Sequence, residues 1–407
     1  MRTPQAEIRN PKLYSYIDST PALAAEGPLA GKTAVIQPNM SVRDWPCEAA
    51  SAALENFRPL ETATLLERLQ NAGTRIVGCS RMAELGFGLT NDTTAMIIRN
   101  GECDLALVTD TMGETRQVAA LAGVLGFKPT YGILSRHGLI GLAPSLESFG
   151  IVAANTQDLA AVMNELTGID TRDPCMRRDT PPDFTKIDAE RDSVNVVGII
   201  PEMLDALVPA EKNAFQNALS QLESRGIRIE ELAMHDVDLF KTVHNVVAAT
   251  EASSSAGKYD SVRYGHRAEK ADNWNEMYLK SRAESFGLLV KSFLFQGTYF
   301  QFENYPAFEN ATRIRRHLIK QCDTFFEKVD VLAWPTRLSS CDALTASTVD
   351  DVYDAFALTL PANVTGQPAI TLPGIVINGD VDLGLQLTGP TLGDARLLAF
   401  AAKIMNS

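Results

Sequence analysis

An α/β fold, with a mixed, mostly parallel central sheet covered by helices on both faces, is what this sequence predicts, and three observations predict it. A helix, strand grammar occurs twice, at residues 62–77 and, after a leading strand, at 194–229. A further apolar strand, Leu105 to Val108, runs through a tight turn into an Ala-rich helix. With 407 residues, 45% of them hydrophobic and 21% charged, the chain is long enough to bury a substantial core. Strands and helices that alternate in this way place helices around a sheet.

Each element has a local cause. Thr62 is the expected N-cap of a helix through Ala72, with Leu65, Leu66, Leu69 and Ala72 on one face and Gly73 past its end; Arg75-Ile76-Val77 then resumes as a strand. Val118-Ala119-Ala120-Leu121-Ala122 continues a helix that stops at Gly123. Residues 170–183, rich in Asp, Arg and Pro, read as the clearest exposed loop. In the second unit Val194 to Ile200 is a strand. Pro209 opens a helix that turns Phe215, Ala218, Leu219 and Leu222 inward, Gly226 closes it, and Ile227-Arg228-Ile229 is the next strand. Ala271 to Phe326 is mainly helical and polar, and Thr359 to Leu387 returns to short apolar strands.

Composition excludes several functional classes. No apolar run reaches the length of a membrane span, and Met1-Arg2-Thr3-Pro4-Gln5-Ala6-Glu7 has no signal-peptide core, so a cytoplasmic protein without a membrane role is expected. Cys47, Cys79, Cys103, Cys175, Cys322 and Cys341 contain no Cys-x-x-Cys pair and read as free or buried thiols. His137, His235, His244, His266 and His317 lack metal-ligand spacing; neither a metal nor another cofactor is expected. A formal net charge of −13 argues against direct nucleic-acid binding.

The most informative segment is Val108-Thr109-Asp110-Thr111-Met112-Gly113-Glu114-Thr115-Arg116-Gln117. A strand, tight turn, helix geometry aims the N–H groups of Met112, Gly113 and Glu114 at a helix N-terminus, where they suit an oxyanion or a bound carboxylate. Glu114 there places negative charge where the helix dipole favours it, which lowers its expected pKa. Asp110 and Arg116 read as a structural pair bracing the turn, Thr111 and Thr115 as turn hydroxyls, and Cys79 as a buried thiol.

The runs Gly126-Phe127-Lys128-Pro129-Thr130-Tyr131-Gly132 to Leu139 and Ala143-Pro144-Ser145-Leu146-Glu147-Ser148-Phe149-Gly150 resemble the amidase signature family. Glu251-Ala252-Ser253-Ser254-Ser255, Tyr259 to Arg267, and Pro361-Ala362-Asn363-Val364-Thr365-Gly366-Gln367-Pro368 extend the likeness to the amidotransferase A-subunit branch, from about Gly27 to Phe400. The resemblance implies a single amidase-signature domain over 1–407 whose N-terminal region is truncated. It also implies a triad of lysine, a serine in a cis peptide, and a serine nucleophile.

All three triad positions are changed. Glu114 stands where the nucleophile is expected, with Asp110, Thr111, Gly113 and Arg116 at matching offsets; Gln37 stands at the lysine and cannot relay a proton as lysine does. The Gly/Ser-rich loop that carries the second serine is deleted between Gly88 and Thr94, which leaves Thr90 as the nominal equivalent. Serine-based amide hydrolysis is therefore expected to be absent. By resemblance Tyr264 and Arg316 match a tyrosine and an arginine that hold a substrate amino-acid end, whereas Phe356 replaces the aspartate. A ligand bearing a carboxylate or amide is implied. Two readings follow: a repurposed enzyme in which Arg316 orients such a ligand, the turn N–H groups of Met112 and Gly113 stabilise an oxyanion and Glu114 acts as base or electrostatic element; or an inactive pseudo-amidase that serves a protein partner or homo-oligomer. The first is preferred, because an ionisable residue at the turn together with Arg316 and Tyr264 exceeds what a scaffold needs.

Overall fold

The computed structural model describes residues 8–20, 26–187, 193–377, 379 and 381–405; the N-terminal run Met1–Glu7 lies outside them. The strands are β1 Tyr14–Ile17, β2 Thr33–Ile36, β3 Arg75–Ser80, β4 Leu105–Asp110, β5 Leu125–Lys128, β6 Ser148–Ala153, β7 Val196–Ile199, β8 Arg228–Glu231, β9 Val331–Pro335, β10 Ala369–Leu372, β11 Val376–Ile377, β12 Val381–Asp382 and β13 Leu385–Thr388. The helices are α1 Thr64–Asn71, α2 Thr94–Arg99, α3 Glu114–Ala122, α4 Thr156–Leu166, α5 Pro209–Ser224, α6 Asp238–Ala256, α7 Trp274–Ser285, α8 Leu288–Thr298, α9 Tyr305–Phe325, α10 Val349–Phe356, α11 Leu360–Thr365 and α12 Asp394–Met405.

An eleven-stranded sheet runs in the order β1-β3-β2-β4-β6-β5-β10-β13-β9-β7-β8, beside a two-stranded ribbon of β11 and β12. It is mixed, as expected, but not mostly parallel. Parallel pairing is confined to the flanks, β3-β2-β4 on one side and β9-β7-β8 on the other. The centre, from β4 through β6, β5, β10 and β13 to β9, is antiparallel. The units around α1 and α5 that are easy to see in the sequence are the ones that make parallel pairs. The antiparallel centre is assembled by strands far apart in the chain, as when Ile370 of β10 pairs with Phe127 of β5.

Alternating strand residues feed two cores. In β4, Leu105 and Leu107 join a core with α1, α4, α5 and α12, whereas Ala106 and Val108 join one with α3, α6, α8, α9, α10 and α11. Helices thus cover both faces. The first helix begins one residue later than its composition suggests: Ala63 is the N-cap of α1, and the Thr62 hydroxyl accepts the Arg43 N–H instead. Leu65, Leu66 and Leu69 are buried as expected. In the second unit Pro209 opens α5, and Phe215, Leu219 and Leu222 are buried.

The segment 170–183 is not simply an exposed loop. The Asp170 carboxylate accepts from the Thr64 and Ser135 hydroxyls and from the Arg172 backbone N–H, and these bonds hold it well below the usual carboxylate range against the opposing effect of burial. Asp173 accepts the Arg136 N–H at 2.7 Å. Asp170 and Asp173 are tied to the core because they satisfy otherwise orphaned donors, while Arg178, Asp179 and Asp183 stay exposed.

Candidate active site

The parallel strands β2, β3 and β4 end side by side, so Gln37, Arg81 and the turn Thr111–Gly113 share one edge of the sheet. Ligands of α/β proteins commonly gather at the carboxyl ends of such strands.

Gly113 takes φ +123°, and a Cβ there would lie 2.2 Å from the Thr359 side chain. Only glycine fits. Thr359 reinforces the close approach by donating its hydroxyl to the Met112 carbonyl at 2.6 Å. Below the turn, Arg116 and Asp110 pair at 3.0 Å with both side chains fully buried. The remaining Arg116 donors reach the Thr359 carbonyl, Gln386 Oε1 and Asn363 Oδ1, and Asn363 in turn donates to Asp110. The pair is structural, as the sequence suggested, and its charges are met on every side.

Above the brace, Glu114 Oε2 accepts the backbone N–H groups of Thr111 at 2.7 Å, Met112 at 2.8 Å and Gly113 at 3.1 Å. The donors expected to serve a ligand are occupied by the protein's own carboxylate. Glu114 Oε1 is buried and has no hydrogen-bond partner among the described residues. Burial, followed by the nearby charge of Asp110, pushes the Glu114 carboxyl up to about 8, against the pull of the turn N–H groups. The downward shift expected from the helix end is thus reversed, because the dipole is weaker than full desolvation.

A second layer, invisible in the sequence, supports the turn. His244 Nε2 lies 2.9 Å from the Thr111 carbonyl and Nδ1 lies 3.0 Å from the Tyr353 hydroxyl. Burial pushes the imidazole down to about 4, so the ring is neutral at physiological pH. A carbonyl can only accept, so Nε2 carries the proton and Nδ1 accepts from Tyr353. Tyr353 is itself held far above the usual phenol range by burial and by Glu114. Beside Thr111, Met112 and His244 the open void is about 10 Å³, room for about one water.

The other expected site residues fall as follows. Gln37, almost fully buried, accepts the Thr109 N–H through Oε1 and donates through Nε2 to Asp92 at 2.8 Å. Asp92 carries no sequence signal that marks it as a site residue; burial pushes its carboxyl up to about 6. Thr90 is half-buried and donates to the Ala346 carbonyl, so it does not bond to Gln37 or Glu114. Arg316 lies on the exposed side of α9. Its neighbour Arg315 is the one turned inward, donating to the Val364 and Ser145 carbonyls and to Ser145 Oγ. In an Arg-Arg pair on a helix only burial decides which residue faces the protein. The Tyr264 ring packs against Phe57 at a tilt of 52°, with ring centroids 4.7 Å apart. Phe356 is fully buried in the core, where no ligand reaches it.

Comparison with known proteins agrees with this architecture. The Amidase family model matches residues 12–98 and 94–398, and the chain belongs to the amidase signature family. It is similar to the glutamyl-tRNA(Gln) amidotransferase A-subunit of Natronomonas pharaonis, 35% identical with 92% of this chain and 95% of that protein covered. The protein of the same name from Haloarcula marismortui is 33% identical over 94% of this chain and 96% of that protein. Among solved structures, the glutamyl-tRNA(Gln) amidotransferase A-subunit of Thermotoga maritima superposes with a TM-score of 0.80 at 23% identity, covering 97% of this chain and 87% of that one. No helix among the described residues is long and apolar enough to cross a membrane.

Proposed function

We propose that this chain is a non-hydrolysing member of its family, which works by binding within a protein complex. The observation that carries the reading is the capture of all three turn N–H groups by Glu114 Oε2. In an acyl-transfer enzyme those donors have to be free for the oxygen on which charge develops. Here they are preoccupied, the adjoining void holds about one water, and Gln37 is locked between Thr109 and Asp92. With its carboxyl pushed up to about 8 by burial and by Asp110, Glu114 is mostly protonated near neutral pH and already carries the proton that a base would have to take, which weighs against it as a replacement base. The relatives named as amidotransferase subunits support a role inside an assembly, and the intact brace below the turn supports selection for the fold.

Ammonia release tests this directly. The purified chain, given glutamine or short acyl amides, is expected to release none above a heat-denatured blank. The Glu114→Ser variant is expected to stay inactive, because Gln37 cannot return a proton to a leaving amine. Turnover by the parent chain, lost in Glu114→Gln, would establish the repurposed enzyme instead.

A further inference from the structure

A cleft of about 560 Å³ opens at the carboxyl ends of β2 and β3, with Tyr16, Pro46 and Met82 among its apolar walls and Glu48, Arg81 and Asp92 as its charged groups. Its volume falls within the range of small-molecule sites, about 300–1,000 Å³. The segment Asn91–Thr93 that forms one side is what remains where the family resemblance places a Gly/Ser-rich loop.

Each charged group is anchored by a bond that leaves capacity for a ligand. Asp92 Oδ2 accepts from Gln37 Nε2 and Oδ1 from the Thr94 N–H, both at 2.8 Å, and the Thr94 hydroxyl also bonds to this carboxylate, which leaves one of its four lone-pair sites for a ligand. Glu48 Oε1 accepts the Asn56 N–H at 2.8 Å, leaving Oε2. Arg81 donates through Nε to the Lys12 carbonyl at 2.8 Å, and its backbone N–H meets Thr93 Oγ1 at 2.9 Å, leaving the Nη amines. Groups fixed before binding lose little entropy on binding.

We propose that this cleft binds a small zwitterion of amino-acid to dipeptide size, its carboxylate on Arg81 and its ammonium between Glu48 and Asp92. A simple anion would face two carboxylates and a simple cation would face the guanidinium, whereas a zwitterion pairs with both. Tyr16, Pro46 and Met82 cover its apolar part. The site is separate from Glu114 and from the Arg315 region, so it stands or falls independently of whether the chain hydrolyses amides.

Titration calorimetry on the full chain tests it, with L-glutamine and L-alanyl-L-alanine as probes, each compared with its N-acetylated and C-amidated form. The free zwitterion is expected to bind, and either cap to weaken it by about tenfold or more. Arg81→Met is expected to erase the preference for a free carboxylate, and Glu48→Gln to reduce the preference for a free ammonium. Arg81→Lys, which keeps the charge, covers the case in which Arg81→Met unfolds, and is expected to retain part of the carboxylate preference. No binding heat from any probe at millimolar concentration, binding indifferent to both caps, or a carboxylate preference unchanged in both Arg81 variants would overturn the proposal.

Discussion

The lower and upper sides of the turn between β4 and α3 are built from adjacent residues and have opposite character. Below, Arg116 and Asp110 are buried charges whose hydrogen bonds are met by Thr359, Asn363 and Gln386. Above, Glu114 is a buried acid with one oxygen held three times and the other held by no group among the described residues. The comparison separates what the fold requires from what the chemistry required. A brace that joins β4, α3, α11 and β13 cannot change without loss of the sheet's packing, whereas Glu114 over the helix end bonds, among the described residues, only to the N–H groups of its own turn.

The largest effect is expected at the brace. Arg116→Met strands the Asp110 carboxylate in the core and should cost about 3–5 kcal/mol in denaturant unfolding; a loss below about 1 kcal/mol would show that the two sides of the turn do not differ as described.

Glu114 should respond to pH in the sense set by its raised pKa. The folded state favours its protonated form, so its contribution to stability is fullest below the ordinary value of 4.5 and is lost as pH rises through about 8. Glu114→Gln keeps the acceptor for the turn N–H groups and removes the charge. Between about pH 5 and about pH 9 the variant should gain roughly 1–3 kcal/mol relative to the parent. A constant difference across that range would mean that Glu114 titrates like an exposed carboxylate.

The smallest contrast lies on α9. Arg315→Met removes the donors that satisfy the Ser145 and Val364 carbonyls and should cost about 1–3 kcal/mol, while the same change at exposed Arg316 should stay within about 0.5 kcal/mol. Equal effects would return Arg316 to consideration as the inward residue.

Much of this is legible in the sequence, for identifiable reasons. The units around α1 and α5 can be read because their apolar spacing and their Gly and Pro boundaries act within one turn of chain. The pairing of Asp110 with Arg116 is legible because six residues separate them across a strand, turn, helix junction. His244, Tyr353, Asp92 and Arg315 are not legible as site residues, since each acts on a partner far away in sequence: His244 meets the carbonyl of Thr111 and the hydroxyl of Tyr353. Asp170 reads as part of an exposed loop for the same reason, its partners Thr64 and Ser135 being remote.

By itself, then, the sequence determined the family, the units around α1 and α5 and the presence of an acid, Glu114, at the start of the helix after β4, because these depend on residue identity and short-range spacing. Tertiary structure decided the antiparallel centre of the sheet, which arginine of the pair faces inward, and what Glu114 does. Its carboxylate closes on the N–H groups of its own turn while desolvation raises its pKa, and both effects depend on burial and direction, which exist only once remote strands and helices have packed together.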